Sequence, residues 1–287
     1  MDLQDKKVLL AGCGELGFYL GCLLQEHGFD VTGLKRTPVE EPPFPLVYAD
    51  LMDLNSLSVL APQYDFIVYT ATPDSVTPEG YQAAYVAGLG NLLNATATPR
   101  EKLLLVSSTG VYGQSAGEWV NEESATNPKR FSGKILLESE RLARELCPAT
   151  TVVRFSGIYG PGRLRNVRKV RQGNSVIENP PQYTNRIHCD DCVGVLAFLI
   201  AEQLNGVALA PVYLASDCDP APEHEVLDFI AETLKLAKPP REVPDDPDTA
   251  PLNKRCSNEQ LLRLGYEFHF PSFKEGYLQV MQVEGII

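Results

Sequence analysis

Short apolar runs rich in β-forming residues alternate with longer stretches of helical periodicity along the first two thirds of the chain. Several runs are apolar at every position, which is typical of strands covered by helices on both faces of a sheet. Strands are predicted at residues 7–11, 31–34, 46–49, 65–69, 102–107, 151–155 and 212–215. Helices are predicted between them at residues 16–26, 81–95, 134–145 and 191–203. This order predicts an α/β fold with a doubly wound parallel sheet and right-handed crossovers.

The regular alternation breaks down in the last part of the chain. Loops lengthen there, and helices predicted at residues 223–236 and 258–264 have no partner strand. We therefore predict a large domain over residues 1–160 and a smaller, partly interleaved region over residues 161–287. One strand of that region, at residues 212–215, is expected to return to the sheet of the large domain.

Composition narrows the class of protein. The chain has 287 residues, of which 44% are hydrophobic, enough for a sizeable core. Its formal charge of −12 argues against a nucleic acid or an anionic membrane surface as the main partner. No apolar stretch approaches the roughly 20 residues of a membrane span, and the N-terminus does not resemble a secretory signal. Seven scattered cysteines suit a reducing compartment, so we predict a cytoplasmic protein.

A glycine-rich turn joins the first predicted strand to the first predicted helix, with the sequence Gly12-Cys13-Gly14-Glu15-Leu16-Gly17. In a βαβ unit, the first glycine permits a tight turn, the second lets a pyrophosphate approach the backbone, and the third allows close packing of helix on strand. The start of the helix adds its first N–H groups, here those of Glu15, Leu16 and Gly17, and the positive end of a dipole. This context predicts a dinucleotide site, although a glycine turn without a ligand has the same spacing.

The residues after the second strand indicate which dinucleotide binds. A carboxylate there would accept hydrogen bonds from the ribose hydroxyls and favour NAD, but Lys35 and Arg36 follow this strand, and Asp30 lies at its other end. Two cations suit a 2′-phosphate, which the planar fork of Arg36 could bind. We predict NADP as the cofactor, with NAD left open because both cations could be solvated loop residues. Asp50, after the third strand, is a candidate for the adenine amine or equally for a helix N-cap.

Four segments match known motifs in the expected order. They are VSSTGVYG at residues 106–113, RFSGIYGPG at 154–162, NRIHCDD at 185–191 and YQAAYVAGLGN at 81–91. Together they resemble the signatures of the extended short-chain dehydrogenase/reductase superfamily, which includes the nucleotide-sugar epimerases and dehydratases. The resemblance covers nearly the whole chain. It implies a Rossmann dinucleotide-binding domain followed by a smaller substrate-binding region.

The resemblance also implies a catalytic Ser or Thr, a Tyr and a Lys, the last two spaced Tyr-x-x-x-Lys. Carried over by motif, the hydroxyl is Ser108 and the lysine is Lys134, which would also contact the nicotinamide ribose. The position four before Lys134 is Arg130 instead of tyrosine. Because arginine stays protonated at any working pH, it cannot relay a proton. We therefore expect cofactor binding, while the usual alcohol–ketone chemistry lacks its proton donor.

Two other tyrosines, Tyr112 and Tyr159, belong to the matched turns. Either could point into the cleft as a replacement acid, and Tyr112 is the catalytic candidate, although both also suit the packing of a turn. Thr109 and Gly110 stand where the dehydratases of the superfamily carry Asp-Glu. Sugar 4,6-dehydration is therefore disfavoured.

A basic cluster follows the YGPG turn, near the place where the resemblance puts the substrate. Its members are Arg163, Arg165, Arg168, Lys169 and Arg171. We predict that Arg163, Arg165 and Arg168 bind a phosphate, diphosphate or carboxylate group of a small-molecule substrate. A solvated basic helix face would show the same pattern.

Cys189 and Cys192 form a C-x-x-C motif next to His188. A structural zinc site needs four ligands, and a second paired motif is missing from the sequence. The segment is already explained by the resemblance, so no metal site is predicted.

These observations predict an NAD(P)-dependent enzyme, an oxidoreductase or isomerase of epimerase or dehydratase type, that acts on a nucleotide-sugar-like or other small anionic substrate. The alternative is a protein without full catalytic machinery that senses NADP(H) or regulates a partner. The resemblance further suggests homodimers paired through the helices at residues 81–95 and 134–145. Substrate identity and reaction direction stay open.

Overall fold

The computed structural model describes residues 6–60, 63–96, 102–243 and 253–287. Its main feature is a seven-stranded sheet in the order β7-β6-β5-β4-β1-β2-β3. The strands are β1 (Lys7–Ala11), β2 (Asp30–Lys35), β3 (Leu46–Tyr48), β4 (Phe66–Tyr69), β5 (Lys102–Ser108), β6 (Thr150–Phe155) and β7 (Val212–Ala215). All seven coincide with strands predicted from the sequence, within one residue at each end.

Helices connect and follow these strands. They are α1 (Glu15–Glu26), α2 (Pro78–Gln82), α3 (Gly88–Ala95), α4 (Phe131–Leu146), α5 (Arg165–Arg171), α6 (Cys189–Leu204), α7 (Glu223–Thr233), α8 (Glu259–Leu264) and α9 (Phe273–Val283). With the sheet order above, they form the doubly wound α/β fold that the sequence predicts, which is thereby confirmed. No helix among the described residues is long and apolar enough to span a membrane.

Strand β1 lies at the centre of the parallel part of the sheet. It pairs in parallel with β2 on one side and with β4 on the other, and β2 and β4 pair in parallel with β3 and β5. From Val8 to Ala11 the strand is completely buried, as is β4. The carboxyl ends of these strands therefore meet at one edge, where open α/β sheets bind their ligands.

The chain divides into two compact units. The first comprises Met1–Val111, Pro128–Arg154 and Val193–Tyr213, and the second comprises Tyr112–Asn127, Phe155–Cys192 and Leu214–Ile287. This division is finer than the boundary expected at residue 160, because the chain leaves the first unit after β5 and again at the end of β6. The strand Val212–Ala215 is part of the seven-stranded sheet.

Each unit has its own apolar core. In the first, strand residues such as Leu9 and Ile67 pack with Leu89 and Leu92 of α3. In the second, apolar residues of α5, α7 and α9 pack together, among them Val167, Val170, Val226, Ile230, Val280 and Met281. The described part of the second unit also contains four pairs of strands of two or three residues, which are too short to show a periodic pattern in sequence.

The helix predicted at residues 81–95 is interrupted. A π-helical segment, Ala83–Ala87, separates α2 from α3. The hydroxyl of Tyr69, at the end of β4, donates to the Ala84 carbonyl at 2.5 Å and so satisfies an acceptor inside this segment. Such π-helical turns occur frequently at functional sites, and this one lies beside the carboxyl edge of the sheet.

Candidate functional site

The glycine-rich turn begins where β1 ends and is closed against both neighbouring strands. The amides of Gly12 and Cys13 donate to the Leu34 carbonyl of β2 at 3.2 and 2.9 Å. Gly12 has a φ of +81°, and a Cβ on it would lie 2.3 Å from the backbone of Ala71, just after β4. The first glycine is therefore required both by its conformation and by the close approach of the neighbouring chain.

The second and third glycines of the motif have different surroundings. Gly14 is the N-cap of α1, and the nearest atom to a Cβ placed there would be the Gly12 carbonyl oxygen, 3.9 Å away. Gly17 is buried, and its added Cβ would lie 3.4 Å from both the Cys13 Sγ and the Thr70 Oγ1. The turn thus leaves open space in front of the first amides of α1, those of Glu15, Leu16 and Gly17, which a helix cannot pair internally.

A cavity of about 270 Å³ opens at this turn. It is lined by Gly12, Cys13, Gly14, Leu34, Lys35, Arg36, Thr37, Ala49, Asp50, Leu51, Met52, Ala71, Thr72, Asp74, Gly80, Ala83 and Ala84. We call it the glycine-turn cavity. Most of the predicted cofactor residues line it, and an open glycine next to a helix N-terminus fits the phosphates of a dinucleotide.

Asp50 lines the same cavity but does not cap a helix. Its Oδ1 accepts the Met52 amide at 2.9 Å and closes a turn, while the next helical segment begins only at Ser56. The N-cap interpretation of the sequence is therefore wrong, because the aspartate caps a turn of its own loop.

The two cations at the end of β2, Lys35 within the strand and Arg36 directly after it, have partners within the first unit. Lys35 points back over the glycine turn, where its Nζ is 3.4 Å from the Cys13 carbonyl and 5.6 Å from the centre of the Phe18 ring. Arg36 forms two hydrogen bonds of 2.8 Å to the two carboxylate oxygens of Asp74. Asp74 was not predicted from the sequence, where it is one acid in a loop, five residues beyond the end of the strand predicted at 65–69. Asp30 lies at the start of β2, beside Lys7, as expected.

Ser108 and Lys134 lie in the same unit on elements in direct contact. The Ser108 hydroxyl, at the end of β5, accepts the Gly110 amide at 3.0 Å. Lys134 is exposed in the first turn of α4, and Arg130 is the exposed N-cap of the same helix. A Cβ on Gly133 would lie 2.5 Å from the Gly110 carbonyl oxygen, so the start of α4 packs directly on the segment after Ser108.

A buried ionic network holds α4 to the sheet behind these residues. Glu140 accepts two hydrogen bonds from the Arg154 guanidinium, at 3.0 and 2.7 Å, and a third from the Ser107 hydroxyl at 2.7 Å. The Arg154 and Glu140 side chains are 6% and 2% exposed. The network links β5, α4 and β6, and sequence reasoning assigned Arg154 only to a motif without finding its partner.

The second unit contains a larger cavity of about 600 Å³, which we call the basic cavity. Its lining includes the three predicted substrate residues Arg163, Arg165 and Arg168, together with Lys169 and the buried Arg186. Lys169 forms an ion pair with Glu223 at 2.8 Å. Most of the basic cluster therefore faces one concave surface.

The two candidate replacement acids differ in their surroundings. Tyr112 is fully buried, which argues against it as a proton donor because a substrate could not reach its hydroxyl. Tyr159 is also buried, and among the described residues its hydroxyl has no hydrogen-bond partner, yet the residue lines the basic cavity. Burial raises the pKa of Tyr159 well above that of an ordinary phenol, with the nearby Asp217 acting in the same direction.

The C-x-x-C segment starts α6. His188, Cys189 and Asp190 bring three possible ligand atoms within 4.8 Å of one another, but the His188 Nδ1 already accepts the Asp190 amide at 3.2 Å. Burial lowers the pKa of His188. Asp191 accepts the amides of His269 and Phe270 at 2.8 and 2.9 Å, so the segment ties the start of α6 to a distant loop.

A glycine turn after the central strand, a cavity at its mouth and a Ser–Lys pair on adjoining elements define a dinucleotide-binding protein of the Rossmann class. The comparison with family models agrees: residues 6–261 match the family described as RmlD substrate binding domain, and the chain belongs to it. The resemblance to the extended short-chain dehydrogenase/reductase superfamily is confirmed.

Individual relatives are similar over nearly their full length. Protein YeeZ of Escherichia coli K12 is 28% identical over 286 residues, covering 93% of this chain and 97% of that protein. A solved structure from Methylobacillus flagellatus, assigned as an NAD-dependent epimerase/dehydratase, is 34% identical with a TM-score of 0.81 and covers 98% of this chain and 99% of that one. The dTDP-glucose 4,6-dehydratase of Bacillus anthracis, solved with NAD, is 18% identical with a TM-score of 0.77, covers 98% of this chain and 97% of that one, and shares the fold.

Proposed function

We propose that this protein is an NADP(H)-dependent oxidoreductase or isomerase of epimerase type that acts on a small anionic substrate such as a nucleotide sugar. The observation that carries the proposal is the glycine-turn cavity, where an open glycine adjoins Lys35 and Arg36 and no acid ends β2. The comparisons support the epimerase/dehydratase class and do not favour the alternative, a sensor of NADP(H).

Each candidate site residue of the first unit has a specific role in this proposal. The amides at the start of α1 bind the pyrophosphate, and Arg36 binds the 2′-phosphate through its planar fork. Asp50 accepts from the adenine amine, and Lys134 hydrogen-bonds the nicotinamide ribose. When bound, the dinucleotide supplies a hydride acceptor or donor. Ser108 holds the reacting oxygen of the substrate, which orients the bond to be oxidised or reduced.

Arg130 changes the chemistry expected at the start of α4. A guanidinium cannot transfer a proton at neutral pH, so a substrate whose oxygen must gain or lose a proton needs another donor. Arg130 and Lys134 instead place two positive charges one helical turn apart on an exposed helix start. This arrangement supports a substrate that is itself anionic near its reacting group.

The basic cavity of the second unit supports the same substrate class. Arg163, Arg165 and Arg168 are exposed and line one concave surface in a chain of net charge −12. Three guanidinium groups suit the planar, multi-oxygen surface of a phosphate or diphosphate. We therefore assign the anionic part of the substrate to this cavity.

Isothermal titration with NADPH and NADH tests the cofactor. We expect tighter binding of NADPH, and Arg36→Ala should weaken NADPH by about tenfold or more while changing NADH little, because a charge-assisted bidentate contact is lost. Arg141→Ala is the matched control, since Arg141 is an exposed arginine paired with Glu145 outside the cavity. Tighter binding of NADH by the wild-type protein would contradict the NADP assignment.

Intrinsic fluorescence tests the substrate class. Trp119 is the single tryptophan, and the Arg255 guanidinium lies between it and Tyr183, at 5.1 and 4.7 Å from the two rings. Tyr183 lines the basic cavity, so binding of UDP-glucose there should change the Trp119 emission. Arg168→Gln should weaken this response severalfold. Arg263→Gln, an exposed arginine on α8, should not, and an equal response from both variants would count against the cavity.

Restoring the phenol at position 130 tests whether its absence limits catalysis. Arg130→Tyr recreates Tyr-x-x-x-Lys, and we expect it to raise dehydrogenase turnover with sugar nucleotides, with a pH profile set by the phenol. Arg130→Phe, which has a similar ring but no hydroxyl, is the control. Turnover of any sugar nucleotide by the wild-type protein would exclude a pure sensor, whereas equal activities of the Tyr and Phe variants would show that the phenol is not the missing group.

A further inference from the structure

An ion pair joins the segments that follow the two strands on either side of β1. Arg36 follows β2, and Asp74 lies in the loop after β4, and these two strands flank β1 on its two sides. The pair is bidentate, with both N–O distances at 2.8 Å, and both residues line the glycine-turn cavity. Any ligand at the glycine turn therefore lies next to this bridge.

The Asp74 carboxylate uses the same hydrogen-bonding edge of Arg36 that a phosphate would need. A guanidinium presents a rigid fork that binds two oxygens of a carboxylate or a phosphate side by side. A ribose bearing free hydroxyls carries no charge and has no need to displace the aspartate. A ribose 2′-phosphate must take over this edge or share it with a second anion.

The bridge contributes little to folding. Its side chains are 57% and 72% exposed, and exposed ion pairs typically stabilise a protein by about 0–1 kcal/mol. Opening the pair to admit a ligand therefore costs the fold little. Lys35 does not substitute for Arg36, because its amine lies over the Cys13 carbonyl. The other carboxylate that lines the cavity is that of Asp50.

We propose that Asp74 is a specificity-determining residue of this site: by holding the Arg36 guanidinium, it reduces the preference for dinucleotides that carry a 2′-phosphate. This inference rests on the proposed function in that it assumes a dinucleotide in the glycine-turn cavity. It adds that the Asp74 carboxylate competes with the 2′-phosphate for the Arg36 guanidinium. The wild-type discrimination between NADPH and NADH is accordingly smaller than Arg36 alone would produce.

Asp74→Asn tests the proposal with little change of shape. The amide retains one acceptor for Arg36 but removes the negative charge that lets the carboxylate compete with a phosphate for the guanidinium. We expect NADPH to bind about tenfold more tightly and NADH to change by less than about twofold. Because both residues are exposed, the gain should shrink between about 0.1 M and about 1 M salt.

Glu145→Gln is the matched control. It removes the acid from an exposed arginine pair on α4 that does not line the cavity, and it should change neither affinity. The double variant Arg36→Ala/Asp74→Asn should bind NADPH no more tightly than Arg36→Ala. A gain that persists without Arg36 would overturn the proposal, because Asp74 would then act only by direct repulsion.

The outcomes separate this inference from the proposed function. If the wild-type protein prefers NADH but Asp74→Asn still shifts the affinity ratio towards NADPH, the NADP assignment is wrong and the role of Asp74 stands. If Asp74→Asn changes both affinities equally or not at all, the role of Asp74 is wrong while the cofactor assignment stands. Failure of both proteins to bind either dinucleotide would overturn both.

Discussion

Gly12 and Gly14 lie two positions apart in one turn, but each lacks a side chain for a different reason. Gly12 has a left-handed conformation and no space for a Cβ, which would lie 2.3 Å from the Ala71 backbone. Gly14 has ordinary extended backbone angles and open space around it. One glycine is needed by the fold, and the other leaves space for a ligand.

Alanine substitutions should therefore separate folding from binding. Gly12→Ala combines backbone strain with a clash and should reduce the free energy of unfolding by about 2 kcal/mol or more. Gly14→Ala should leave the melting temperature nearly unchanged but weaken NADPH binding, because its methyl group occupies the space in front of α1. Thermal unfolding and titration of the two variants check this, and equal losses of stability would contradict it.

Glu140 is the acceptor of three hydrogen bonds inside the first unit, two from Arg154 and one from Ser107. A buried ion pair adds little to stability compared with apolar residues, but loss of one partner leaves the other charge without compensation. The cost of breaking this network should therefore exceed that of any exposed pair in the chain.

Glu140→Gln should lower the free energy of unfolding by about 3–5 kcal/mol. Glu145→Gln, which breaks an exposed pair on the same helix, should cost no more than about 0.5 kcal/mol. Urea denaturation measures both. If the two variants lose similar stability, the buried network does not hold α4 in the way its geometry indicates.

At the scale of secondary structure, the interruption between α2 and α3 depends on a strand residue. Tyr69 is completely buried, and its hydroxyl donates to the Ala84 carbonyl. A Cβ on Gly88 would lie 3.2 Å from the same hydroxyl, so the phenol fits closely against the end of the π-helical segment. Because Gly80, Ala83 and Ala84 line the glycine-turn cavity, the segment shapes the ligand site.

Tyr69→Phe removes this hydrogen bond without changing the ring. The loss should cost about 0.5–1.5 kcal/mol of stability, because the partly buried Ala84 carbonyl loses its hydrogen-bond donor, and NADPH affinity should fall severalfold. Tyr48→Phe is the control, since Tyr48 is exposed and the contacts of its hydroxyl with the Val39 amide and carbonyl are long, at 3.4 Å. An unchanged NADPH affinity in Tyr69→Phe would show that the π-helical segment does not depend on the phenol.

At the scale of the whole molecule, a buried acid links stability to pH. Asp217 is 1% exposed, and burial raises its pKa to about 8, although Arg186, 3.9 Å away, acts in the opposite direction. Between its unfolded pKa of about 4 and this value, the folded protein keeps a proton that the unfolded chain releases. Its contribution to stability is therefore full at low pH and is lost as the pH rises towards about 8.

Asp217→Asn should remove this dependence, because the amide is neutral at every pH. From about pH 5 to about pH 8, the wild-type protein should lose stability relative to the variant by at most about 1.4 kcal/mol per pH unit. Urea denaturation measures both proteins. The other titrating groups, His188 included, are common to the two, so their contributions cancel in the difference between the two free energies of unfolding. For Asp53→Asn, at an exposed position, the free energy of unfolding should change with pH as it does in the wild type. The same pH dependence in Asp217→Asn would contradict the prediction.

The sequence alone determined the sheet, its seven strands and the glycine turn. These features depend on local patterns, namely buried apolar runs, a glycine motif of set spacing and helical periodicity, which neighbouring residues express without reference to distant ones. The assignment of Ser108, Lys134 and the position of Arg130 came from motifs of the same local kind. The strands of two or three residues in the second unit were missed, because so few residues carry no periodicity.

Tertiary structure alone decided which residues meet. Arg36 was predicted as a phosphate ligand, but only the fold brings it to Asp74, 38 positions further along the chain. Glu140 joins Ser107 and Arg154, and Tyr69 interrupts a helix whose own sequence predicts it to be continuous. Such contacts depend on the order of strands and the path of loops, so the partner of a charge or of a carbonyl cannot be deduced from the residues beside it in sequence.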